Sequence, residues 1–122
     1  MSVTGPDFIS FQVRDLAASA AFYEEHLGLT RLPISNPEAV IFATKPIALA
    51  VRNPFAGVDL DAVPQLGAGV GIWLHDNDAT GLHQRLAGAG VQIVQEPFDG
   101  PFGRTFAFRD LDGYVITIHD KA

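Results

Sequence analysis

The 122-residue sequence contains no cysteine, which excludes disulfides and thiolate chemistry. It is poor in positive charge: eight Lys and Arg stand against fourteen Asp and Glu, for a net charge of −6. Such a balance cannot neutralise a phosphate backbone, so nucleic acid is not an expected partner. It mildly favours cationic ligands through long-range attraction. No apolar run approaches the roughly 20 residues a membrane span needs, so no membrane partner is expected. The opening residues Met1 to Pro6 have neither a basic patch nor an apolar run, so no secretory signal is expected and the cytoplasm is the expected location. Charged residues make up only 18% of the chain, which argues against disorder. What is present is apolar: 48% of residues, with nine Phe, enough to bury a core of one ordinary domain.

The apolar residues are patterned. Residues 8–14 alternate, with Ile9, Phe11 and Val13 on one face and Phe8, Ser10, Gln12 and Arg14 on the other, as in a half-buried strand. Asp15 is placed to cap a helix carrying Leu16, Ala20, Tyr23 and Leu27, which Gly28 ends. A second strand is expected to begin over 29–32, and a hairpin over 39–44 and 47–51 around Lys45-Pro46. The same order then recurs. Residues 71–75 read as a strand with Ile72 and Leu74 on the core face. Asp76, Asn77 and Asp78 offer helix caps, and Leu82 and Leu86 mark a short helix ending near 88–90. Residues 91–94 read as a strand, 97–103 as a Pro/Gly-rich loop, and 105–109 with 114–119 as a closing hairpin.

Identity between the halves is low, but the order of elements repeats, with Asp15 opposite Asp76 and Gly28 opposite Gly90. The expected fold is α+β. Two tandem βαβββ modules, about 5–53 and about 69–120, are joined by a linker of about 54–68 within one domain spanning 1–122. Each sheet would have one face under its helix and one face free. Two such faces side by side would curl into an open barrel-like sheet around a cavity.

Several segments carry a family resemblance over nearly the whole chain. VRDLAASAAFY (13–23) followed by LGL (27–29) resembles the first-module signature of glyoxalase-like proteins. FRDLDGYVITI (108–118) resembles their closing hairpin, and PFGRTFAFRD (101–110) is similar to bleomycin-resistance proteins. The resemblance to the glyoxalase/bleomycin-resistance/dioxygenase (vicinal oxygen chelate) superfamily implies paired modules, usually assembled as a homodimer. It also implies a metal site in metal-dependent members, built from one residue on each of four strands and acting as a Lewis acid. Here those positions fall on Phe8, Ala50 (or Ala48), Gly71 (or Val70) and Thr117. None of these sets can hold Ni²⁺, Zn²⁺ or Fe²⁺, so no metal and no cofactor is expected.

Of the four histidines, His26 and His83 fall on the helices and are expected to face solvent. His75 and His119 share the parity of Gly71 and Thr117, with no carboxylate of matching parity beside them. Trp73, the single tryptophan, faces the cavity by alternation. It either fills the interior or a dimer contact, or serves as a stacking platform with an orienting N–H, opposite Phe8. Phe98 and Phe102 either plug the core or form an apolar lip. Arg104 and Arg109 read more simply as partners of surface acids than of a ligand. Asp110-x-Asp112-Gly113 superficially resembles a calcium loop but lacks its later ligands. Gly67-x-Gly69-x-Gly71 precedes a strand instead of opening a helix, so it is no dinucleotide fingerprint.

The expected function is metal-free binding of a small aromatic or cationic molecule, such as an antibiotic. The expected contacts are Phe8, Ser10, Gln12, Ala50, Trp73, His75, Phe98, Phe102, Thr117 and His119. The rival is an enzyme with relocated chemistry, using His75 or His119 as a general base.

Overall fold

A computed structural model describes residues 2–121. The chain forms two compact units, one up to Ala62 and one from Val63. Each is mixed α+β, with one α-helix and one open-edged sheet that is not closed into a barrel.

In the first unit, β1 (Phe8–Gln12), β2 (Ala39–Phe42) and β3 (Ala48–Arg52) form a sheet in the order β1-β3-β2. β1 runs parallel to β3, which requires a crossover, and α1 (Leu16–Leu27) supplies it. Asp15 caps α1 by accepting from the Ala18 N–H, and Gly28 ends it in the left-handed region at φ 67°. The alternation read from β1 holds: Phe11 and Val13 are buried, while Phe8 and Ser10 are exposed. The buried stripe of α1 is Ser19, Ala20, Phe22 and Tyr23, so Leu16 and Leu27 flank the contact and do not centre it.

The expected strand at 29–32 shrinks to one bridge, Arg31 to Phe42. Leu32 N–H donates to the Ile41 carbonyl and Ala43 N–H to that of Thr30. Pro33 then has no N–H with which to extend the ladder.

In the second unit, β4 (Ile72–His75), β5 (Ile93–Gly100), β6 (Gly103–Arg109) and β7 (Val115–His119) stand in the order β4-β7-β6-β5. β4 and β7 are parallel, joined through α2 (Ala79–Gly88) and the β5-β6-β7 meander. The cap of α2 is Asp78, which accepts from Gly81 N–H; Asp76, the residue matched to Asp15, instead accepts from Asp78 N–H. Phe106, Phe108, Ile116 and Ile118 are fully buried with Leu82 and Leu86 of α2. Asp110 holds the β6–β7 turn, accepting the N–H groups of both Asp112 and Tyr114 on one oxygen.

The segment read as a Pro/Gly-rich loop is a correction: β5 continues through it to Gly100. β5 is an edge strand, and its register shifts between Gln95 and Phe98, so Pro97 sits at an irregularity where a missing N–H costs little. Only Pro101 and Phe102 form the turn into β6. No helix among the described residues is long and apolar enough to cross a membrane.

Candidate functional site

Strand pairing fixes which side chains share a face, because directly paired residues point the same way. On β4 and β7, Ile72 pairs with Ile116 and Leu74 with Ile118; this is the helix face. Trp73 pairs with Thr117 and His75 with His119 on the opposite face. Across β6 and β5 that face continues through Ala107, Thr105, Gln95 and Phe98.

Four rings gather there. Trp73 and Phe102 meet edge to face, with centroids 5.4 Å apart. His119 touches three of them: Trp73 at 5.8 Å, His75 at 5.6 Å and Phe102 at 6.2 Å, all at steep angles. Such T-shaped contacts are favourable aromatic geometries. Yet Trp73 and Phe102 remain 50% and 54% exposed. The cluster therefore presents aromatic surface outward instead of filling the core of its own unit.

Phe102 reaches this cluster from the β5–β6 turn, and the turn is pinned. Lys121 N–H donates to the Phe102 carbonyl, and Arg104 N–H donates to Asp120. Gly103 has φ 84°, and a Cβ there would overlap the Asp120 carboxylate. Only glycine fits both constraints. Phe98 lies on β5 opposite Thr105, exposed and packed over Gly100, so it belongs to the sheet face and not to a loop lip.

The equivalent face of the first unit carries Phe8 beside Ala48, Ser10 beside Ala50, and Gln12 beside Arg52. Ala50 is buried at the centre of its sheet, whereas Phe8 is half-exposed. The Gln12 side-chain oxygen accepts from the Phe55 N–H. One feature of this face escaped the sequence: the Arg52 guanidinium lies 3.7 Å from the centre of the Phe55 ring. Its Nε donates to the Asn53 carbonyl. Strand alternation places Arg52 but says nothing of Phe55, which lies three residues past it in irregular chain; an Arg-x-x-aromatic spacing at a strand end was the only available signal.

The positions a superfamily metal would use do not fit one. Phe8 offers a ring, Ala50 or Ala48 a methyl, Gly71 nothing or Val70 an alkyl group, and Thr117 a neutral hydroxyl. Among the described residues no three His, Asp or Glu side chains gather in a way that could hold a metal.

The remaining candidates resolve into local roles. His83 is not solvent-facing: its side chain is largely covered, its ring packs on Phe106, and its Nε2 lies 3.2 Å from Glu96 without a hydrogen bond. His26 is half-buried against Phe22. Arg104 faces Asp99 at 3.3 Å, and Arg109 donates to Gln65 and to the Gly113 carbonyl. Arg31 donates twice to Glu24 and holds that carboxyl below its ordinary value.

The family model described as "Glyoxalase/Bleomycin resistance protein/Dioxygenase superfamily" matches residues 5–118. Among solved structures, the chain is similar to TnmS3, an antibiotic binding protein from Streptomyces sp. CB03234. That pair has a TM-score of 0.77 and 24% identity, over 100% of this chain and 99% of that one. It is similar to a glyoxalase/bleomycin resistance protein from the same organism, with a TM-score of 0.73 and 25% identity over 95% and 100% of the two chains. A glyoxalase-related enzyme from Fulvimarina pelagi gives a TM-score of 0.77 and 23% identity, over 98% and 89%. No protein of curated function matches the sequence.

Proposed function

Because the chain belongs to the Glyoxalase/Bleomycin resistance protein/Dioxygenase superfamily, we propose that it works as one of that superfamily's small-molecule binders, without a metal, and sequesters a planar aromatic compound. The observation that carries this reading is the half-exposed ring cluster of Trp73, Phe102 and His119 on the free face of the second sheet. Exposed aromatic surface of this kind is costly in water and gains when a flat ligand covers it. Thr117 and Ala107 lie in register with Trp73 and add a small, half-apolar floor.

Ligand contacts on the second unit are Trp73, His75, Phe98, Phe102, Thr117 and His119. On the first unit, taken by itself, Phe8, Ser10 and Gln12 share one sheet face, with Ala50 buried beside Ser10. The net charge of −6 favours ligands bearing a positive group. The likeness to an antibiotic binding protein supports antibiotics as the class to try first, with bleomycin-type glycopeptides and other aromatic secondary metabolites in one panel. The protein is proposed to act as a homodimer.

The test is equilibrium binding of that panel to protein purified without added metal, alongside elemental analysis. Saturable binding with no stoichiometric transition metal supports the reading. One equivalent of transition metal per chain contradicts it. A relocated active site remains the second reading, favoured by the contact between His75 and His119. Turnover of a bound compound, lost when either histidine is replaced, would establish that reading instead.

A further inference from the structure

Both imidazoles in the ring cluster already have one nitrogen committed. His119 Nδ1 lies 3.0 Å from the Lys121 carbonyl oxygen. His75 Nε2 lies 3.3 Å from the Asp120 carbonyl oxygen. A carbonyl oxygen can only accept, so each of these nitrogens must carry the proton. In a neutral ring the other nitrogen is then a bare acceptor: Nε2 of His119 and Nδ1 of His75. Neither has a hydrogen-bond partner among the described residues.

The backbone that fixes these tautomers is itself fixed. Asp120 holds the Arg104 N–H, and Lys121 N–H holds the Phe102 carbonyl. The carbonyls are therefore presented by the same short segment that seats Phe102 against His119. The outcome is an aromatic surface with two acceptor nitrogens on adjacent paired strands and no donor to them among the described residues.

We propose that this face selects planar aromatic ligands carrying a hydrogen-bond donor at the ring edge, a phenolic O–H or a ring N–H, and that His119 and His75 receive it. This inference rests on the aromatic-binding reading above and narrows it. A flat ligand without a donor would cover the same rings but strip water from the two nitrogens and leave them unpaired. That loss weakens binding by about tenfold to a hundredfold.

The test uses two probes built on one ring system, 6-hydroxyquinoline and 6-methoxyquinoline, titrated calorimetrically into the full chain at pH 8. Only the first can donate from its ring edge. The expected result is binding of the hydroxy probe at least tenfold tighter than the methoxy probe. In a His75→Phe/His119→Phe double variant, which keeps two rings but loses both acceptors, the ratio should collapse toward one. Equal affinities for the wild-type chain, lost together in Trp73→Ala, would overturn the donor selection and leave aromatic binding standing. A ratio that survives in the double variant would overturn it too, since the donor would be received elsewhere. Binding of neither probe would overturn both readings. The comparison of probes on the wild-type chain needs no variant, so a folding defect in the double variant does not remove the test.

Discussion

Trp73 is half-exposed and sits beside two rings, those of Phe102 and His119, so its replacement separates binding from stability. Trp73→Ala should lower unfolding free energy by about 1–3 kcal/mol, since about half of the ring is covered, which is less than a fully buried Trp would cost. It should weaken ligand binding at least tenfold; paired urea melts and titrations check both. Asp110→Ala is the opposite case. Asp110 is buried and accepts two backbone N–H groups, so its loss should cost about 1–3 kcal/mol in urea denaturation. Sequence parity was enough to put Trp73, His75, Thr117 and His119 on one face, because strand side chains alternate strictly. It could not show that Phe102 joins them, since that depends on how a turn is pinned by Asp120 and Lys121. Nor could it show Arg52 over Phe55, a contact made beyond the end of a strand.

At the scale of elements, the parallel pair β4–β7 positions the cluster, and the β5–β6 turn completes it. Gly103→Ala should therefore act twice. The added Cβ meets Asp120 and the φ of 84° suits no other residue, so the variant should lose more than about 1 kcal/mol of stability and bind ligand more weakly. Parallel measurements of melting and affinity check this. Leu86→Ala, on the buried face of α2, should cost about 2–5 kcal/mol while leaving the ring cluster's chemistry untouched. The Glu24–Arg31 pair is a smaller matter. Its carboxyl is held below the ordinary value, so its stabilisation is present above that value and fades as pH falls through the lowered one. Both helices, their caps and most strands were legible from periodicity and capping residues. β5 was legible only at its start, within the strand read at 91–94: Pro97 and Gly100 read as breakers, and its place at the edge of the sheet, with a register shift, lets it continue. The strand expected at 29–32 failed for the converse reason, stopped by Pro33 after a single bridge.

At the scale of the whole molecule, the repeat read in the sequence reappears as two units. In each, a helix crosses between parallel strands that are first and last in chain order. Where the resemblance puts the superfamily's metal ligands stand a ring, a methyl, a bare backbone and a hydroxyl, so the proposed binding is one that needs no metal. A homodimer should appear in sedimentation equilibrium at twice the chain mass, and a species at one chain mass across the binding range would contradict that expectation. The central claim is that aromatic ligands bind at the Trp73 face without a metal. Since Trp73 is the single tryptophan, its fluorescence reports that face alone. Titration of chelator-treated protein with a panel of planar aromatic antibiotics should give saturable quenching by at least one compound, unchanged when a transition metal is restored. Quenching by none of them, or quenching that appears only after metal is added, would contradict the account.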